Sequence, residues 1–131
     1  ADGEGATKLI EVNVTGAPDE LSARLIAKQI VGSSLVKTAI FGADPNWGRI
    51  LSSAGSSGVN MVADHTDLYF GDVQVLSNGR PLDCDKEALH AVVRQREYKV
   101  TLVLNVGPAS ASAFTCDLSY DYVKINAEYT T

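Results

Sequence analysis

The clearest pattern of hydrophobic and polar positions lies near the start of the chain. Ile10, Val12 and Val14 alternate with polar residues. This strict period of two predicts a strand with one buried face. Gly16 is expected to end the strand.

A helix is expected to follow, with Pro18 at its first position and Gly32 as its stop. Its apolar residues recur at helical spacing, so we expect them to pack over the sheet. They are Leu21, Leu25, Ile26 and Ile30.

The middle of the chain is less regular. Residues 33–41 fit a short helix and a buried strand equally well. Asp44 is placed to cap a helix whose first residue is Pro45, and the Gly/Ser-rich residues 52–58 predict a loop. A helix start with Arg49 one turn on is a candidate anion site. We favour the alternative, a capped helix whose Trp47 packs into the core.

The second half begins with a change of parity. Leu68 and Phe70 face one way, whereas Val73 and Val75 occupy the opposite phase. A one-residue slip of this kind predicts a β-bulge at Gly71-Asp72.

Further elements follow from turns and alternation. Residues 77–80 predict a turn, and Asp83 or Asp85 is placed to cap a helix. Extended segments are predicted at 98–106, 114–118 and 123–125. The whole order predicts an α+β fold, a mixed sheet with helices on one face, in a single domain spanning residues 1–131.

Composition narrows the class of protein. The chain has 131 residues, 45% of them hydrophobic, and a formal net charge of −5. This acidic balance argues against a nucleic-acid or anionic-membrane partner, and no apolar run is long enough for a membrane helix. No signal peptide is recognisable. The expectation is a soluble, intracellular protein.

The cysteines and histidines suggest no site of their own. Cys84 and Cys116 are expected to be reduced thiols, and their spacing to His65 and His90 matches no metal signature. Neither histidine has an evident Ser or Cys partner, so no triad is predicted.

Both chain ends carry polar groups. Residues 2–8 place two carboxylates, a hydroxyl and an ammonium in a Gly-containing stretch, where a Glu could bind an ammonium group. A frayed terminus is the simpler interpretation. Residues 126–131 are typical of a solvated tail.

Several of these segments resemble one family. They are DGEGATKLIEV at residues 2–12, LVKTAIFG at 35–42, DPNWGRI at 44–50, CDL at 116–118 and YVKINAEYTT at 122–131. In this order they closely resemble the ornithine acetyltransferase (glutamate N-acetyltransferase) family of arginine biosynthesis.

The resemblance implies an activity. Such enzymes move an acetyl group from N-acetylornithine to glutamate, and some members also accept acetyl-CoA as the donor; no other cofactor is implied. The precursor cuts itself at an Ala-Thr bond into α and β chains. The new N-terminal Thr of β carries the acetyl group as a covalent ester.

The resemblance also places the site residues. Glu4, Asn126 and Thr131 match substrate-binding positions of the family, whereas the flanks of Thr7 do not match the cleavage motif. The chain therefore resembles the C-terminal part of a β chain. Its nucleophile lies outside it, its implied partners are the α chain and the rest of β in an αβ hetero-oligomer, and the chain alone is expected to be inactive.

Glu4 and Asn126 lie near opposite ends of the sequence. Because the resemblance implies that both residues contact the substrate, the strand after Glu4 and the strand before Asn126 are expected to be spatial neighbours that open onto one pocket. A non-catalytic scaffold or assembly domain of the same enzyme is the alternative function. The expected compartment is the cytoplasm, or an organelle in a eukaryote.

Overall fold

The fold is organised around a mixed β-sheet. A computed structural model describes residues 8–116 and 123–125 of the chain. The strands in these residues are β1 (Leu9–Ala17), β2 (Asp67–Phe70), β3 (Val73–Ser77), β4 (Arg80–Pro81), β5 (Glu97–Val103), β6 (Ala109–Cys116) and β7 (Val123–Ile125). The helices are α1 (Glu20–Gly32), α2 (Ser34–Phe41), α3 (Trp47–Gly55) and α4 (Lys86–Val93), with a 3₁₀ turn at Ala63–His65.

The strand order puts β1 inside the sheet. The order is β4-β3-β2-β5-β1-β6-β7. β1 runs parallel to β5 and antiparallel to β6, and the other pairs are antiparallel. The predicted α+β class with a mixed sheet is confirmed.

β1 shows the predicted two-sided pattern. Ile10, Val12 and Val14 are fully buried in the core. Gly16 does not end the strand, which continues to Ala17 after a shift in its pairing with β6. A glycine is needed at this position because its φ is +69° and a Cβ would lie 2.6 Å from the backbone nitrogen of Asn105.

α1 begins later than predicted and buries a narrower face. Asp19 caps it by accepting a hydrogen bond from the Ser22 backbone N–H at 2.7 Å, so Pro18 lies outside the helix. Ile26 is fully buried as expected, but Leu21 and Leu25 are 58% and 42% exposed. The prediction for these two leucines is wrong because the inward face consists of Ala23, Ile26, Ala27, Ile30 and Val31.

Two helices, α2 and α3, form the middle of the chain, where the sequence pattern is irregular. Residues 34–41 form α2, so the strand alternative is wrong. α3 begins at Trp47 and is capped by Asn46, whose side-chain oxygen accepts from the Arg49 backbone N–H at 3.1 Å. The predicted cap at Asp44 is therefore wrong. The helix also continues to Gly55, because Ser53 and Ala54 are buried against the core.

A chain reversal replaces the predicted bulge. Gly71-Asp72 joins β2 to β3, with Phe70 opposite Val73, and Gly71 has a φ of +58°. A glycine at the first of two turn positions is typical of a tight hairpin. The shift in pairing between these strands lies instead between Leu68 and Tyr69.

Of the remaining predictions, some are confirmed and others are not. Asn78-Gly79 forms the predicted turn, with positive φ at both residues. Asp85 caps α4 by accepting from the Ala88 backbone N–H at 3.1 Å. On β6 the buried residues are the small ones, Ala111, Ala113 and Thr115, whereas Phe114 lies in the opposite phase. Leu118 lies outside the described residues.

Two truncations in α1 test this packing. Ile26→Ala should lower the free energy of unfolding by about 2–5 kcal/mol, because it leaves a cavity in the core. Leu25→Ala on the same helix should cost less than about 1 kcal/mol, because its side chain lies outside the buried face of α1 and is 42% exposed. Urea denaturation of both variants checks this, and equal losses would contradict the described orientation of α1.

Candidate functional site

One end of the sheet gathers the groups of chemical interest. β1 and β5 begin there side by side, with Leu9 opposite Glu97, and β6 ends there, with Cys116 opposite Leu9. This sheet end is reached directly by the residues that precede β1. It is therefore the place where the described structure comes closest in sequence to Glu4.

The face of the sheet away from the core carries charged groups at this end. Glu11 lies between Lys99 on β5 and Phe114 on β6. Together with Leu9, Glu97 and Tyr98, these residues line a shallow hollow of about 240 Å³. Glu97 and Lys99 are exposed and Glu11 is half-buried. Two carboxylates and one ammonium group thus surround a surface that also has an aromatic wall.

This arrangement can bind a molecule that carries both a positive and a negative group. The carboxylates of Glu11 and Glu97 can accept hydrogen bonds from an ammonium group, and the Lys99 ammonium can donate to a carboxylate. A free amino acid carries both groups. These residues were not predicted from the sequence, although Glu11 lies in the polar phase of β1 and could have been identified there.

The opposite face at the same level contains two unpaired hydroxyl groups. Tyr98 on β5 and Thr115 on β6 lie on either side of Ile10 on β1. Both hydroxyl oxygens are buried and have no hydrogen-bond partner among the described residues. Buried hydroxyls are normally paired, so these two oxygens are candidates to contact a further polar group.

Lys8 ties the start of β1 to α4. Its ammonium donates to the Val93 carbonyl oxygen, at the end of α4, at 2.5 Å. The same ammonium lies 5.7 Å from the centre of the Tyr98 ring, within the range of a cation–π contact. Burial raises the pKa of the Tyr98 phenol to about 12, so the phenol stays neutral at physiological pH.

The three site residues predicted from the resemblance fall outside the described residues. These are Glu4, Asn126 and Thr131. The strands next to them, β1 and β7, share the sheet and run parallel, but β6 lies between them, so the expectation of directly neighbouring strands is wrong. Ile125 is level with Ala113 and Val12, so it lies about 14 Å from Leu9, estimated from strand rise and spacing. The shared pocket itself stays a prediction.

The other sequence candidates are placed clearly. The anion-site candidate at the start of α3 is a helix capped by Asn46, and Trp47 packs against the core, as the favoured interpretation had it. Cys84 and Cys116 are both half-buried and are not joined by a disulfide. Among the described residues, no three His, Cys, Asp or Glu side chains come together as metal ligands. No described helix is long and apolar enough to cross a membrane.

Comparison with known proteins identifies the family. The model of the ArgJ family matches residues 1–131. The chain belongs to the ArgJ family. It is 54% identical over 130 residues to the arginine biosynthesis bifunctional protein ArgJ of Streptococcus mutans, covering 99% of this chain and 33% of that protein.

Other ArgJ proteins agree with this assignment. The chain is 53% identical over 139 residues to ArgJ 1 of a Nostoc species, covering 99% of this chain and 34% of that protein. The crystal structure of ArgJ from Bacillus halodurans superposes with a TM-score of 0.82 at 46% identity, covering 92% of this chain and 57% of that one. The chain thus spans about one third of the length of its ArgJ relatives.

The raised pKa of the Tyr98 phenol allows its burial at this sheet end to be tested. Because the folded-state pKa of Tyr98 lies above the unfolded value, the folded protein holds the proton more tightly, and its stability should fall as pH rises from about 10 towards 12. Tyr98→Phe should remove this loss. At neutral pH it should be close to neutral in stability, because the hydroxyl has no described partner.

The measurement is the free energy of unfolding of both proteins between pH 7 and 12 by denaturant titration. The contributions of all groups that the two proteins share cancel in the difference. Curves that stay parallel up to the highest pH would contradict a buried, unpaired phenol.

Proposed function

We propose that this chain is part of an acetyltransferase that moves an acetyl group from N-acetylornithine to glutamate in arginine biosynthesis, and that it supplies substrate contacts. The observation that carries the proposal is the match of the ArgJ family model to every residue of the chain. The relatives are named as bifunctional arginine biosynthesis proteins. Because the chain spans only a third of them, the activity belongs to the longer protein.

The proposal gives three residues a role. Glu4 would hold the substrate ammonium or amide N–H group, Asn126 would bind a polar group of the amino acid, and Thr131 would add its hydroxyl or terminal carboxylate. The nucleophilic Thr would come from another part of the β chain, and an α chain would complete the αβ hetero-oligomer. Acetyl-CoA would be a second donor, and the enzyme would work in the cytoplasm.

A shared pocket requires the chain before β1 to cross β6 towards the end of β7, because the two strands run parallel and the start of one and the end of the other face opposite ends of the sheet. Glu4 lies five residues before Leu9, and Asn126 directly follows Ile125. A chain covers at most about 3.3–3.6 Å per residue, so five residues can cross the separation of about 14 Å between these strand ends. The charged hollow at Glu11 and Lys99 supports an amino-acid ligand at the sheet end where β1 begins.

The first kinetic test concerns Glu4 in the complete enzyme. Glu4→Gln should lower kcat/KM by about 10-fold or more, because it removes a charge-assisted contact to the substrate. Glu87→Gln serves as the control, because Glu87 is an exposed residue in the first turn of α4. Initial rates with varied N-acetylornithine give the result, and equal kcat/KM for the two variants would contradict the role of Glu4.

The second test asks whether Glu4 and Asn126 contact the same substrate molecule. We expect Glu4→Gln and Asn126→Ala to be non-additive in kcat/KM, because residues that share a bound ligand are coupled. The double variant should lose less than the product of the two single losses. Additive losses would place the two residues in independent roles.

The alternative role in assembly has one specific observation in its favour. Leu21 and Leu25 on α1 and Leu35 on α2 expose 58%, 42% and 61% of their surfaces. Exposed leucines on adjoining helices are typical of surfaces that pack against another chain. Polar substitutions here that change the assembly and leave kcat/KM unchanged would favour a scaffold role.

A further inference from the structure

An open cavity lies in the helical layer where α1, α2 and α3 meet. Its volume is about 390 Å³, which lies in the size range of small-molecule sites. It is lined by Gln29, Ser33, Ser34, Leu35, Arg49, Ser52, Ser53 and Ser56. Five of the eight lining residues are serines, and none of the eight is acidic.

Arg49 supplies the charge of this cavity. One guanidinium nitrogen, Nη1, donates to the Leu35 carbonyl oxygen at 3.1 Å. Among the described residues, Arg49 forms no ion pair with a carboxylate. The remaining guanidinium donors are thus available, although the chain carries five more acidic than basic residues.

The wall next to Arg49 is held in place by its own hydrogen bonds. Ser53 is only 8% exposed and donates to the Gln29 carbonyl oxygen at 2.9 Å. Ser56 donates to the Ser53 carbonyl oxygen at 2.8 Å and accepts from the Gln29 side chain at 3.1 Å. These bonds join α1 to α3, so the cavity is built from fixed elements.

We propose that this cavity binds the oxyanion group of a small metabolite, a phosphate or a carboxylate, with Arg49 as its main ligand. A guanidinium group suits both because it donates two parallel hydrogen bonds to adjacent anionic oxygens. The hydroxyls of Ser34 and Ser52, which form no hydrogen bond with described side chains, complete the donor set. The absence of carboxylates in the wall leaves the anion without a like charge to repel it.

The experiment titrates the full chain with inorganic phosphate and, separately, with acetate at constant ionic strength. Backbone amide shifts of Ser34 and Leu35 are followed by NMR. We expect a saturable shift with at least one of the two anions, and the anion that binds identifies the group as phosphate or carboxylate. No saturable shift with either at tens of millimolar would overturn the proposal.

Variants separate a site from a general effect of charge. Arg49→Gln should weaken binding at least 10-fold, and Arg49→Lys should lie between that variant and the wild type, because it keeps the charge and loses the fork. Arg94→Gln is the matched control, since it removes an equal charge from an exposed position at the end of α4. Equal weakening by Arg49→Gln and Arg94→Gln would overturn the proposal.

A variant at a different residue covers the case in which Arg49→Gln alters the fold through its bond to Leu35. Ser52 is exposed and makes no described side-chain hydrogen bond, so Ser52→Glu should fold normally. It places a carboxylate in the cavity wall and should abolish anion binding. Unchanged binding by this variant would place the anion elsewhere and contradict the proposal.

Discussion

The rest of the structure depends on the pairing of β1 with a strand on each side. Its residues hydrogen-bond to β5 in parallel and to β6 in antiparallel register. Ile10, Val12 and Val14 then point from the middle of the sheet into the core, under α1. A strand buried by two neighbours and a helix is fixed in register, because a one-residue slip would turn these three side chains out of the core.

The same register builds the candidate site at the sheet end. It brings Glu11 beside Lys99 and Phe114 on one face, and it aligns the hydroxyls of Tyr98 and Thr115 on the other. Segments that are distant in the chain thus supply one small region. The charged hollow and the unpaired hydroxyls are both consequences of a pairing whose stability comes from the apolar residues of β1.

The sequence predicts local structure well where a single physical cause decides it. Strict alternation identifies β1, and Asn78-Gly79 identifies a turn that needs positive φ. Prediction from the sequence fails where one pattern fits both a buried and an exposed side chain. Leu25 has the same helical spacing as the buried residues of α1, but the packed face of this helix is narrower than its apolar face.

The candidate site residues could be predicted from the sequence only in part, for the same reason. Glu4, Asn126 and Thr131 are available only through resemblance to a family. The surroundings of Arg49 come from three helices, so no local pattern contains them.

The central position of β1 also determines when the protein can fold. Leu9 pairs with a residue roughly 90 positions later, so the contacts that bury β1 are far apart in the sequence, and such contacts slow folding. During synthesis, β1 leaves the ribosome roughly 5 to 20 seconds before β5 does, at typical elongation rates. Throughout that interval its three apolar side chains lack their strand partners, which makes the nascent chain a substrate for chaperones that hold exposed hydrophobic segments.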